Sequence, residues 1–537
     1  MSRTQAAEHA DPRLQTVPLA TLAVSAYVLL FCFALRQVLK FNFGHFTYAL
    51  DDPYIHLALS QSIAHGHYGI NLEEASSPSS SALWPLLLAP FARFRWQMYV
   101  PLAFNAAASL ATAILIGAAV ARWPQPASED TAPALETVRR AISVLALLFV
   151  GNLLGLTFLG MEHTLQVLLA GAGAWAIIAC LRGLPVPLWC LAAVALGPLV
   201  RYENLGISLA VAMALVGYRQ MRRAIALLVA SIGPLLLFSV YLHRLGLPWL
   251  PTSVLVKSHE LAAPGLRSQG LTLIGENFSR IFAEPQYTLV AILFLTLAGV
   301  AWNERLRERR FALWGACLAT GLQLLIGRFG WFHRYEVYAV FFSVLVLLHV
   351  VHERPRGLLG WYALGLLGCS FLYLQAFNDV PLSSNEVFRQ QYQMHRFIDD
   401  FYNGNVAVND LGLVSYNRPP GTYVLDLWGL GSVASAQQRN KSTAWLQATV
   451  RAHNVGLVMI YKPWFAPAPK DWTLLGDLCL KEQPIALGSP CVTFYATPQA
   501  SLPELQDELD DFVPTLPPGV TMQRPALPVP ANTPPHP

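Results

Sequence analysis

Long apolar runs broken by short polar punctuation fill the first 375 residues. They recur at 18–37, 99–121, 141–159, 161–180, 186–200, 205–219, 224–243, 286–301, 311–328, 335–352 and 357–375. A helix needs roughly 20 apolar residues to cross a bilayer, so the pattern predicts about eleven membrane spans. "SALWPLLLAPF", residues 81–91, is too short to cross and reads as a re-entrant or interfacial helix. Beyond residue 376 the pattern changes. "NEVFRQQYQMHRFIDDFY" (385–402) and "KSTAWLQATVRAHN" (441–454) read as helices. Short β-branched runs at 405–410, 412–416, 422–427, 455–461 and 491–496 read as strands. A small α/β domain is therefore expected over 376–515, followed by a loose Pro-rich tail over 516–537.

Composition agrees with a chain built for lipid. Hydrophobic residues make up 54%, charged residues 13%, and the mean hydropathy is +0.42. Soluble domains carry about 25% charge. The fold class expected is thus a polytopic α-helical membrane protein, a transmembrane domain over 1–375 with a small extracytoplasmic α/β domain after it. The net charge of +4 is small and dispersed, which argues against a nucleic-acid partner. A polar lead precedes the first apolar run, so that run reads as a retained span rather than a cleaved signal.

Basic clusters orient the spans. "RQMRR" (219–223), "RLRERR" (305–310), "HERPR" (352–356), Arg139, Arg140 and Arg182 belong on the cytoplasmic side. The N-terminus is then cytoplasmic and the C-terminal domain lies outside. The two long loops, 38–98 and 244–285, also face outward. So do "DDP" (51–53), "LGMEH" (159–163), "RYEN" (201–204) and "GWFHRYE" (330–336). Charged groups at the ends of spans are costly and mark a pathway or a site. Five apolar-span cysteines read as small hydrophobes, whereas Cys479 and Cys491 in the outer domain are candidates for a disulfide.

These residues suit transfer of a sugar from a polyprenyl phosphate. Such a reaction needs cations at the interface for the phosphate and a carboxylate to take the acceptor's proton. Asp51 and Asp52 supply carboxylates. With Pro53 opening a helix, Asp52 is expected at its cap and Asp51 as the freer side chain, so Asp51 is the favoured base. Lys257, Arg334, His333 and Arg201 are the candidates for the donor phosphate; interfacial anchoring is the plainer role for such cations. Glu162, Glu203, Tyr54 and Tyr335 are candidates for sugar or acceptor contacts. His65 and His67 read as polar side chains facing water, so no metal ligands are assigned and no cofactor is required, a divalent cation being the alternative.

The set "YALDDPYIHLALSQSIAHGHYGINLEEASSPSSSALWPLLLAP", "LGMEH", "RYENLG", "GLPWLPTSVLVK", "HRY" and "VAVNDLGLVSYNRPPGTYVLDLWGL" resembles the membrane-embedded GT-C glycosyltransferases, in particular the branch of mycobacterial-type arabinofuranosyltransferases. The resemblance runs from about residue 40 to 430. It implies an inverting, metal-optional transferase in a bacterial cytoplasmic membrane. The donor would be a polyprenyl-phosphate sugar, and the acceptor a glycan, lipid or protein of the cell envelope. An outer site fits a lipid-carried donor, since nucleotide sugars are cytoplasmic. The alternative function is a transporter or flippase of lipid-linked envelope precursors; a non-catalytic assembly protein is a further rival.

Overall fold

The computed structural model describes residues 12–123, 133–259, 266–353, 357–438 and 440–525. Every apolar run named above falls on a helix, and the departures have local causes. The 141–159 run becomes two helices, Pro133–Val150 and Leu153–Leu159. They part at Asn152, whose backbone is left-handed at φ 46°. The last run continues without a break from Gly357 to Arg389, carrying one helix from the apolar bundle into the C-terminal domain. "SALWPLLLAPF" gives only the short helix Trp84–Leu88 and a 3-10 turn, Ala89–Phe91.

Among the described residues, six helical stretches are long and apolar enough to cross a membrane: Thr16–Phe41, Gln97–Ala121, Ala134–Leu159 taken across the break at Asn152, His163–Leu181, Met221–Arg244 and Pro285–Asn303. Three shorter apolar helices are Leu188–Val200, Tyr202–Gly217 and Val337–His352. Their burial divides them. His163–Leu181 and Val337–His352 are almost entirely enclosed, as helices apolar on all sides should be. Thr16–Phe41 and Met221–Arg244 bury only 22% and 17% of their most apolar windows. They turn large side chains such as Leu29 and Leu237 outward.

The C-terminal domain is built on a six-stranded sheet. The strands are β1 (Asn405–Val408), β2 (Val424–Asp426), β3 (Val455–Ile460), β4 (Thr473–Leu480), β5 (Cys491–Ala496) and β6 (Val520–Gln523), in the order β2-β1-β3-β5-β4-β6. β1 runs parallel to both β2 and β3, and the remaining pairs are antiparallel. β3 is buried at all six positions, which explains its unbroken apolar sequence. Helix Thr443–Ala452 connects β2 to β3 and is capped by Ser442, whose side chain accepts from Trp445 N–H.

Two sequence expectations fail here, and one strand was not expected at all. Residues 412–415 are a one-turn helix and not a strand, because Asp51 of the first loop caps them, as described below. β4 lacks a clean alternation and its sequence shows no strand signal, yet β5 and β6 pair with it on either side. The tail is ordered into β6 at residues 520–523, since the outer edge of β4 offers it a partner; 526–537 lie outside the described residues. Cys479 and Cys491 sit opposite each other across β4 and β5 and form a disulfide.

Candidate active site

The polar motifs from distant parts of the chain meet at one end of the helical bundle. Arg334 Nη2 donates to Asp52 Oδ2 at 2.7 Å, joining "HRY" to "DDP". Arg334 Nη1 reaches Met161 Sδ at 3.0 Å, which brings in "LGMEH". Arg201 Nη1 donates to Glu162 Oε1 at 3.2 Å. The serine segment after the first loop helix laces the long loops together: Ser80 donates to Glu162 at 3.1 Å and Ser77 pairs with Thr252 at 3.0 Å. Gly160 is needed where "LGMEH" turns. Its φ is +69°, and a Cβ there would lie 2.6 Å from the Tyr48 ring.

The two aspartates have roles opposite to those expected. The helix runs Asp52–Ala64 with Asp51 at its cap position, but neither side chain caps it. Asp51 Oδ2 accepts from Gly412 N–H at 2.7 Å and Oδ1 from Leu413 N–H at 2.8 Å. It therefore caps helix Gly412–Ser415 of the other domain. Gly412 makes the close approach feasible, because a Cβ would stand 2.1 Å from Asp51 carbonyl oxygen. Asp52 is left with its carboxylate toward open space, 29% exposed, beside a buried guanidinium.

That space is a cavity of about 350 Å³. Asp51, Asp52, Arg334 and Tyr335 line its helical side, with Arg328 on the neighbouring loop and Arg280 on helix Leu266–Arg280. The roof comes from the C-terminal domain: Asp410 and Leu411 after β1, Trp428 and Leu430 after β2, and Trp464 after β3. All three parallel strands thus present their carboxyl ends to it. β1 leads to β2 on one side, and the chain then returns to β3 on the other. Loops beyond such a switch point diverge and leave a crevice, the usual ligand position in open α/β sheets.

Asp410, in the "VAVNDLGL" stretch quoted among the resembling motifs, is the main functional candidate to which the sequence reading assigns no role. It accepts from Tyr461 Oη at 2.7 Å and Gln391 Nε2 at 2.9 Å. Burial, then the charge of Asp410, pushes the Asp51 carboxyl up to about 8, against its two backbone donors. Burial likewise raises Asp410. Acids raised in this way inside a cleft are a recurring mark of functional sites.

Arg334 owes its position to a strained turn. Trp331, Phe332 and His333 are consecutive left-handed residues at φ 51°, 63° and 55°. Each such residue costs on the order of 1–3 kcal/mol, so surrounding contacts must hold the turn. Buried Glu336 does so, accepting from Gly330 N–H at 3.0 Å and pairing with His333 Nδ1 at 2.8 Å. Asn152 donates to Phe332 carbonyl at 2.8 Å, which accounts for the break between the two helices there.

Other expected site residues lie elsewhere. His333 lines an adjacent pocket with Asp379 and Gln375. Glu162, Arg201 and Glu203 form an ion-pair network with His56, and none of them lines this cavity. Tyr54 is buried, and its hydroxyl accepts from Tyr48 N–H at 3.2 Å. The Lys257 side chain lies outside the described residues. Among the described residues no group of three metal-binding side chains converges.

The fold and site define a mostly helical protein whose apolar bundle and C-terminal α/β domain enclose one acidic and arginine-lined cavity. Residues 385–495, the helix leading into the sheet and the strands through β5, match a family model described as a domain of unknown function, DUF8728. No curated protein matches the chain.

Proposed function

We propose that the protein is a membrane-embedded glycosyltransferase of the GT-C kind, transferring a sugar from a polyprenyl phosphate to an extracytoplasmic acceptor with inversion. The observation that carries the reading is the cavity itself: an accessible carboxylate, Asp52, shares a 350 Å³ space with Arg280, Arg328 and Arg334 at one end of the apolar bundle. About eleven spans would cross the bacterial cytoplasmic membrane, whose lipid would cover outward faces such as those of Thr16–Phe41 and Met221–Arg244. The C-terminal domain would stand on the extracytoplasmic side.

In this mechanism Asp52 takes the proton from the acceptor hydroxyl. The freed oxygen attacks the anomeric carbon from the face opposite the phosphate. The bond from that carbon to the phosphate oxygen breaks, and the leaving polyprenyl phosphate carries away the electron pair. Arg280 and Arg328 meet the growing negative charge, a stabilisation worth most in a site shielded from water. Arg334 holds Asp52 aimed through its 2.7 Å hydrogen bond. Asp51 joins the two domains and so positions Asp410 against the first loop. The chemistry is assigned to side chains of this chain and requires no cofactor.

The test is reconstitution of the purified protein in liposomes with a panel of polyprenyl-phosphate sugars and envelope glycans, lipids and peptides. A new glycosidic bond of inverted configuration is expected. Movement of a labelled donor across the bilayer with no new bond would instead establish the transporter.

A further inference from the structure

A separate pair of arginines lies at the far end of the bundle. Three helices begin beside the candidate site. Gln97–Ala121 does so through Met98, whose carbonyl accepts from Tyr48 Oη at 2.6 Å; His163–Leu181 follows Glu162; Val337–His352 follows Arg334 and its turn. His163–Leu181 has 19 residues, so it rises about 28 Å away from the site. Arg122 follows the first of these helices and Arg182 the second, and His349 lies in the last turn of the third. These side chains line one pocket of about 130 Å³ together with Trp123, Trp175 and Leu184.

The pocket is arranged for an anion. The Arg122 guanidinium is held over the Trp175 ring, 4.9 Å from its centre, and Nη1 donates to Ala118 carbonyl at 2.8 Å. Burial, then the nearby charge of Arg182, holds Arg122 below its ordinary value. Two like charges repel, and an anion shared by both replaces that repulsion with attraction. The carboxylate beside His349 is already engaged: Glu353 pairs with Arg309, which also donates to Leu181 carbonyl, and it stands 3.4 Å from the buried imidazole. Among the described residues no carboxylate pairs with Arg122 or Arg182. The volume is below the roughly 300–1,000 Å³ of drug-sized ligand sites and suits one compact charged group.

The rim decides the source of that anion. Leu184 is exposed, as are Leu188 and Trp189 at the start of the next helix. The Trp189 and Trp175 rings lie 6.1 Å apart, so these apolar side chains border the arginines. A soluble anion gains nothing from such a rim, whereas the acyl chains of a lipid do. On the orientation expected from the basic clusters, this end meets the cytoplasmic leaflet, whose surface is negative. We propose that Arg122 and Arg182 bind the headgroup phosphate of an anionic phospholipid of that leaflet, with its acyl chains against Leu184 and Leu188. The inference rests on the bilayer placement of the helices and is independent of glycosyl transfer.

The experiment uses the full-length protein in detergent and needs no sugar donor or acceptor. Phosphatidylglycerol, phosphatidylcholine with the same acyl chains, and soluble glycerol phosphate are titrated and followed by native mass spectrometry and unfolding temperature. Phosphatidylglycerol should bind at least about tenfold more tightly than phosphatidylcholine, as expected for two arginines acting on one anionic headgroup. Arg122→Gln combined with Arg182→Gln should abolish that preference, and Arg122→Lys combined with Arg182→Lys should keep most of it. Arg222→Gln combined with Arg223→Gln removes two exposed charges from another basic cluster and should leave the preference intact. Lipid-free unfolding temperatures identify any variant that has merely lost its fold. If the double glutamine variant does so, Leu184→Glu, an exposed change that brings a carboxylate to the arginines, should lower phosphatidylglycerol binding in its place. Equal affinity for the two lipids, or full preference in the double glutamine variant, overturns the site and leaves the arginines as anchors of their spans. An equal loss in the Arg222 and Arg223 variant overturns it in favour of diffuse surface charge. Glycerol phosphate binding as tightly as phosphatidylglycerol overturns the lipid as its ligand.

Discussion

Two charged clusters lie side by side at one end of the bundle, and they differ in what is left over. In the inner cluster Glu162 is fully buried and faces Arg201 and His56, while Arg201 also binds Glu203 at 2.6 Å. In the outer cluster Asp52 has Arg334, yet keeps a face toward the cavity. Both are acids and arginines at the ends of apolar helices, and by sequence they look equivalent. The inner one pairs Glu162 with Arg201 inside the protein and acts as a brace, while Glu203 at its edge keeps 28% exposure but does not line the cavity. The outer one has an accessible carboxylate and space for a reactant. Position at the end of an apolar helix does not by itself assign chemistry to a charge; the space its side chain opens onto does.

The inner brace should show the largest effect on stability. Glu162→Ala removes the buried partner that faces Arg201 and His56 and leaves Arg201 with Glu203 alone; breaking a buried pair costs up to about 3–5 kcal/mol. Thermal unfolding in detergent should fall sharply, with little soluble folded protein recovered. A variant as stable as the wild type would dissolve the distinction between brace and site.

A smaller loss is expected at the support of the outer cluster. Glu336→Gln turns an amide group toward donors that now meet carboxylate oxygens. The loss of charge-assisted hydrogen bonds beneath the left-handed turn should cost roughly 1.5–3 kcal/mol. Transfer should fall as well, because Arg334 follows the turn. An effect on unfolding temperature with none on transfer would detach the turn from the site.

A third prediction concerns pH. Asp51 is raised from 3.8 to about 8. The folded protein therefore holds a proton that the unfolded chain has released between those values. The proton-binding difference makes the slope of stability with pH negative. This contribution is present below about pH 4 and is lost as pH rises through about 8. Asp51→Asn should flatten that slope in unfolding curves recorded across the window; an unchanged slope would move the titration to another group.

Much of the helical architecture could be read from the chain, because an apolar run of 15–23 residues has few other solutions. Spacing also pointed to Asp51, Asp52 and Arg334. What could not be read was the partner of each. Asp51 caps a helix 361 residues away in sequence, and no local pattern announces that. The same contact explains why "GLVS" is helical despite its β-branched look. Asp410 was hidden because its role depends on the sheet order: only when β1 stands between β2 and β3 do the loops after them open over Asp52. β6 was hidden by its proline-rich surroundings, which hold just four residues of strand.

The central claim is that Asp52, and not its neighbour, takes the acceptor's proton. The most direct measurement compares turnover of Asp52→Asn and Asp51→Asn in liposomes with the same polyprenyl-phosphate donor and acceptor, each checked for its unfolding temperature. Losing a general base costs about 10²–10⁴-fold in rate. The account predicts a loss of that size in Asp52→Asn with the unfolding temperature near that of the wild type, and a smaller loss in Asp51→Asn accompanied by weakened docking of the C-terminal domain. Wild-type turnover in Asp52→Asn would contradict it.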